Sequence, residues 1–96
     1  MLPREQYPPV IATELDHIEF EIEKLRKEME NSSDEAKTEY RELIDILDSK
    51  LDQAKKKLHA LEQANDDEWD DVKADLDNTR NALKSMWSDA TSQITA

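Results

Sequence analysis

Glu14-Leu15-Asp16-His17 is the pattern in this chain closest to a chemical motif. A Glu and a His three residues apart lie on one helical face, the spacing with which di-iron carboxylate bundles place two metal ligands. The chain carries one copy, so a complete metal site on Glu14 and His17 requires a second subunit. Leu15 and Ile18 belong to an apolar stripe, and His17 falls one position short of Ile18, towards the outside. That phase favours a solvated imidazole over a ligand. His59, next to Leu58, has the same phase and receives the same reading.

Asp66, Asp67, Glu68, Asp70 and Asp71 form a second candidate, for a divalent cation. A calcium loop of the EF-hand type alternates oxygen ligands around an obligatory glycine, and this chain has no glycine. A capped, dipole-matched helix start accounts for the run better, with loose and unspecific Mg²⁺ or Ca²⁺ association. The serines cluster at Ser32, Ser33, Ser85, Ser88 and Ser92, away from both histidines in sequence. Without cysteine there is no thiolate nucleophile or zinc–cysteine site, and without glycine there is no phosphate-cradling loop. These residues predict a protein that is not an enzyme and has no cofactor.

The elements that position these residues are helices. Ala36, Tyr40, Leu43, Leu47, Leu51, Ala54, Leu58 and Leu61 recur at threes and fours, with Ile44 and Ile46 widening the stripe. The arc is about 160° at 100° per residue, wide enough to touch two neighbours. Upstream, Ile11, Leu15, Ile18, Ile22, Leu25 and Met29 alternate fours and threes as a heptad seam, with Glu23 and Lys27 paired outside it. Downstream, Trp69, Val72, Leu76, Thr79, Leu83, Met86, Trp87 and Ala90 form a third stripe. Trp69 and Trp87 are five full turns apart and share its face. Phe20 points roughly opposite the seam, as a possible second contact surface.

Pro3, Pro8 and Pro9 mark residues 1–8 as an irregular lead-in, with Pro9 suited to the first turn of a helix. At Asn31–Glu35 two readings stand. Ser32 with Glu35 matches a capping box and so a tight turn; Met29, Ser32 and Ala36 keep the heptad running as one continuous helix. The boundary at Ala64–Glu68 is firmer: Asn65 with Glu68 is box-like, and the acidic run suits the positive end of a new helix dipole. Lys55, Lys56 and Lys57 close the preceding helix and would face the acidic opening of the first, at Glu14, Asp16, Glu19 and Glu21, in an antiparallel packing. The partner in that packing could belong to the same chain or to a second one.

Composition sets the outer bounds. The 96 residues are 39% charged and 36% hydrophobic, the profile of long surface helices and coiled coils around a thin core. A thin core makes self-association a reasonable expectation. The net charge of -11 argues against nucleic acid and anionic membranes as partners. No apolar run is long enough for a membrane span, and residues 1–10 have no apolar signal core, so a cytoplasmic location is expected.

Three runs carry a family resemblance: Ser33-Asp34-Glu35-Ala36-Lys37-Thr38-Glu39-Tyr40, Leu51-Asp52-Gln53-Ala54-Lys55-Lys56-Lys57-Leu58, and Asp67-Glu68-Trp69-Asp70-Asp71-Val72-Lys73. Together they resemble small uncharacterised bacterial coiled-coil proteins, over residues 18–92. Those proteins often have Ser-Gly at the second turn, where this chain has Asn65-Asp66. The resemblance implies a helical hairpin fold and non-enzymatic character, and no site residue.

The resulting expectation is an all-α chain of antiparallel coiled-coil helices near 9–31, 33–64 and 66–91, with a frayed tail at 92–96. It would be a three-helix bundle, or a long helical hairpin that self-associates. Its expected role is an interaction or assembly module that buries its seam against itself or a partner helix. Ile11, Leu15, Ile18, Ile22, Leu25, Met29, Trp69 and Trp87 are the interface candidates. The alternatives are metal binding at Glu14 and His17, and an acidic decoy that competes with nucleic acid for a basic partner.

Overall fold

The computed structural model describes residues 4–95, with side chains to Ser92. Three helices follow one another: α1 (Tyr7–Glu30), α2 (Asp34–Gln63) and α3 (Asp66–Thr95). They pack side by side as a three-helix bundle, a rod of 51 × 21 × 17 Å.

The chain turns at Asn31–Ser33, and local hydrogen bonding explains why. Asn31 N–H donates to Glu28 O at 3.2 Å and Ser32 N–H to Met29 O at 3.1 Å, which closes α1. The Ser32 hydroxyl is drawn back onto Glu28 O at 2.7 Å. Ser33 therefore caps α2: its backbone is extended at ψ 163, and its Oγ accepts from Ala36 N–H at 3.3 Å. The capping box placed on Ser32 is thus one residue early. At the second turn, Asn65 Oδ1 accepts from Glu68 N–H at 3.0 Å, beside an extended Ala64 at ψ 142. Among the described residues no backbone enters the left-handed region, so neither turn needs glycine.

The first helix begins earlier than proline placement suggests. Tyr7 opens α1 and is only 7% exposed, while Pro8 and Pro9 sit in the first turn, where a missing N–H leaves nothing unpaired. The spacing from Tyr7 to Ile11 continues the seam backwards by one step. At the other end α3 stays helical to Thr95, past the fraying expected from residue 92, while Ala96 lies outside the described residues.

Side chains from all three helices meet in one core. Ile11, Leu15, Ile22 and Leu25 of α1 join Ile44, Leu47, Leu51, Ala54, Leu58 and Leu61 of α2 and Leu76, Leu83 and Ala90 of α3. Ile18, Met29, Trp69 and Trp87 are partly buried against them. The seam offered as an interface is therefore closed within a single chain. Folding back also brings Lys55 Nζ to 2.6 Å from Glu19 Oε2, and pairs Arg26 with Asp48. Lys57 instead reaches α3, at 3.0 Å from Asp75 Oδ1 and 2.8 Å from the hydroxyl of buried Thr79. On the outer face of α1 Glu23 pairs with Arg26 at 3.1 Å, in place of the Lys27 expected from spacing. Ile46, counted in the central stripe, turns out to be half exposed. Its phase, 100° from Leu47, carries it past the edge of α3.

Candidate functional site

The two long interfaces of the bundle, α1 with α2 and α2 with α3, bring backbones within 8 Å, whereas α1 and α3 do not approach that closely among the described residues. The gap between α1 and α3 is bridged by long polar side chains. This polar clasp gathers six polar and charged side chains from the two helices. Tyr7 and Glu14 enter it from α1, and Lys73, Asp77, Arg80 and Lys84 from α3.

Helical phase explains the membership. On α3 these four residues lie on the flank of the Leu76–Leu83 stripe that faces α1, and on α1 Glu14 lies beside Ile11 and Leu15. Arg80 is the hub. Its Nη2 donates to Glu14 Oε2 at 2.5 Å, and its Nη1 donates to Asp77 Oδ1 at 2.9 Å and to the Tyr7 hydroxyl at 3.4 Å. The Tyr7 hydroxyl in turn donates to Asp77. Lys84 Nζ lies 2.8 Å from Glu14 Oε1 as an ion pair, off the line of a hydrogen bond, and Lys73 Nζ bonds Asp77 Oδ2 at 3.0 Å. Lys73 also sits 4.8 Å above the Tyr7 ring. Arg80 Nε is buried without a partner, a cost set against the two carboxylates it binds.

Electrostatics lock the charge states. Burial pushes the Tyr7 phenol up, and the adjoining Asp77 carboxylate adds to it, to about 12. Burial alone would raise the Glu14 carboxyl, but Lys84 and Arg80 outweigh it and hold Glu14 below its ordinary value. Asp77 is depressed in the same way: burial opposes, and the Tyr7 hydroxyl, Lys73 and Arg80 prevail. Burial disfavours the Arg80 cation, yet Glu14 and then the other partners raise its pKa. None of these four groups is poised to exchange a proton near neutrality, which a general acid or base would need. The cluster is suited to holding two helices in register.

The two residues of the sequence-derived metal pair make different contacts within the chain. Glu14 turns into the clasp, with both oxygens engaged by cations. His17 is 72% exposed and lies 4.0 Å from Glu21 Oε1 on its own helix. His59 is exposed as well. In the acidic run Asp66 is held by Arg4 at 2.6 Å, and Asp67, Glu68, Asp70 and Asp71 are exposed. Among the described residues no three His, Asp or Glu side chains gather in a way that could hold a metal ion. Trp69 flanks the clasp, edge-on to Tyr7 at 5.9 Å with the Arg4 guanidinium 4.9 Å from its ring.

Tyr7, Asp77 and Arg80 are absent from the residues singled out by sequence. The backward continuation of the seam from Ile11 to Tyr7 was the available signal for one of them. For Arg80 the signal was its place one residue after Thr79, inside an apolar stripe. Set against protein-family models, curated proteins and solved structures, the chain matches none of them. No helix among the described residues is long and apolar enough to cross a membrane.

Proposed function

We propose that this protein is a non-enzymatic helical interaction module that recognises a partner through the outer faces of a self-contained bundle. One observation carries the reading. The apolar stripes are spent inside one chain, while Phe20 at 58% exposure and Ile46 at 51% remain on the outside. The chain as a whole is acidic, with 24 carboxylates against 13 basic residues. The clasp supports the same reading, since it ties α1 to α3 and holds Tyr7, Glu14, Asp77 and Arg80 in fixed charge states.

The charge excess also favours the acidic-decoy reading, in which a basic surface is bound in competition with nucleic acid. The two readings differ in salt response: binding carried by surface charge weakens steeply with ionic strength, and binding carried by apolar contact does not. The test is light scattering across a concentration series, followed by in-cell cross-linking of the full chain with the linked positions mapped. The module reading expects a monomeric bundle in isolation and saturable cross-links to one partner from positions around Phe20 or Ile46. Recovery as single chains only, in cells and in solution, would overturn it.

A further inference from the structure

We propose that the groove between α2 and α3 at Ile46 and Met86 docks a basic amphipathic helix of a partner protein. This deepens the interaction-module reading and rests on it. The groove is lined by Asp45, Ile46, Ser49, Lys50, Gln53 and Met86. Ile46 supplies an exposed β-branched anchor at its centre, and Met86, partly buried against the core, supplies an adaptable neighbour.

The rim selects the occupant. Glu42 lies one turn before Ile46, Asp45 adjoins it, and Asp89 lies one turn beyond Met86, all three exposed. None of these carboxylates has a cation within ion-pair distance among the described residues. The one cation lining the groove, Lys50, is turned onto Gln53 Oε1 at 3.4 Å. An apolar floor inside a negative rim fits a helix whose lysines or arginines flank a leucine-type stripe. A second copy of this chain fits poorly, because it would bring its own charge of -11 and set acidic rim against acidic rim. Nucleic acid and anionic lipid are repelled for the same reason. From Asp45 to Gln53 the groove runs about 12 Å, which accommodates roughly two turns of helix.

A fluorescein-labelled peptide of alternating leucine and lysine at heptad spacing, about two heptads long, serves as the probe. It is titrated into the full chain and into Ile46→Ser, Asp45→Lys and, as a control at an exposed apolar residue of α1, Val10→Ser, with a scrambled peptide of equal composition alongside. Circular dichroism of each variant confirms that the bundle is intact. The proposal expects saturable one-to-one binding, at least about tenfold weaker for Ile46→Ser, Asp45→Lys and the scrambled peptide, and unchanged for Val10→Ser. No binding, equal binding by Ile46→Ser, or equal binding of the scrambled peptide would overturn it. If mapped cross-links in cells then lead to a partner at another face, the module reading stands and only this groove falls.

Discussion

Two kinds of contact hold this bundle, and they differ in what they can specify. The contacts of α2 with its neighbours are apolar at their centre, where Leu47, Leu51, Ala54, Leu58 and Leu61 are buried among isoleucines and leucines, with ion pairs only along their edges. Apolar burial stabilises in proportion to area but has no direction, so several rotations of a helix about its axis would bury similar surface. The contact between α1 and α3 is the opposite case. It rests on directional bonds among Tyr7, Glu14, Asp77 and Arg80, with Lys73 and Lys84 at its margins. Such bonds contribute little net free energy but hold one register of α1 along α3. The comparison teaches that stability and alignment are assigned to different faces of the same helices.

Truncating the apolar side should have the largest effect. Leu83→Ala removes a side chain with no exposure, and urea denaturation should show a loss of about 2–5 kcal/mol. A loss under about 1 kcal/mol would mean that the core is loosely packed and the comparison wrong.

Next comes the hub of the clasp. Arg80→Met leaves Glu14 and Asp77 partly buried without their shared cation, at a cost of about 1–3 kcal/mol given their partial exposure. Restoring neutrality in Arg80→Met/Glu14→Met should recover part of that loss. Strict additivity of the two changes would deny that they are coupled.

Proton linkage separates the two regions more finely, because the buried side chains at the centre of the apolar seam carry no ionisable group. Glu14 and Asp77 sit below their ordinary values of 4.5 and 3.8 in the folded state, so their contribution is present above those values and is lost as pH falls through the folded pKa of each. Tyr7 is raised to about 12 from 10.0, so its contribution is full below pH 10 and is lost as pH rises towards 12. In Tyr7→Phe, thermal melts followed from pH 9 to 12 should lose less stability than the parent chain over the same range. Parallel curves for the two proteins would remove Tyr7 from the clasp.

The smallest effect belongs to the turn. Ser33→Ala removes the bond to Ala36 N–H and should cost about 1 kcal/mol, while Ser32→Ala should cost less, since its hydroxyl only doubles a bond at the end of α1. Reversal of that order in denaturant midpoints would move the cap back to Ser32.

Much of the fold was legible in the residue order because its causes are local. The stripes from Ile11 to Met29, Leu43 to Leu61 and Val72 to Ala90 each follow from a 3.6-residue repeat, and Asn65 announced its cap within three residues. The first turn was not legible, since Ser32 and Ser33 are equally plausible caps until the end of α1 claims one hydroxyl. Ile46 was misplaced because a stripe's width is decided by where the neighbouring helix ends. The site was hardly legible: Glu14 was noticed for its spacing to His17, whereas its real partner Arg80 lies 66 residues away.

By itself, then, the sequence determined an acidic, glycine-free, all-helical chain with three amphipathic faces and one capped boundary, at Asn65, through periodicity and short-range hydrogen bonding. The tertiary structure alone decided that the seam closes within one chain, that Glu14 and Tyr7 meet Asp77 and Arg80, and that Ile46 stays outside. Those outcomes depend on the rotation and register of each helix against its neighbours. Packing of the whole bundle sets both, and no local pattern encodes them.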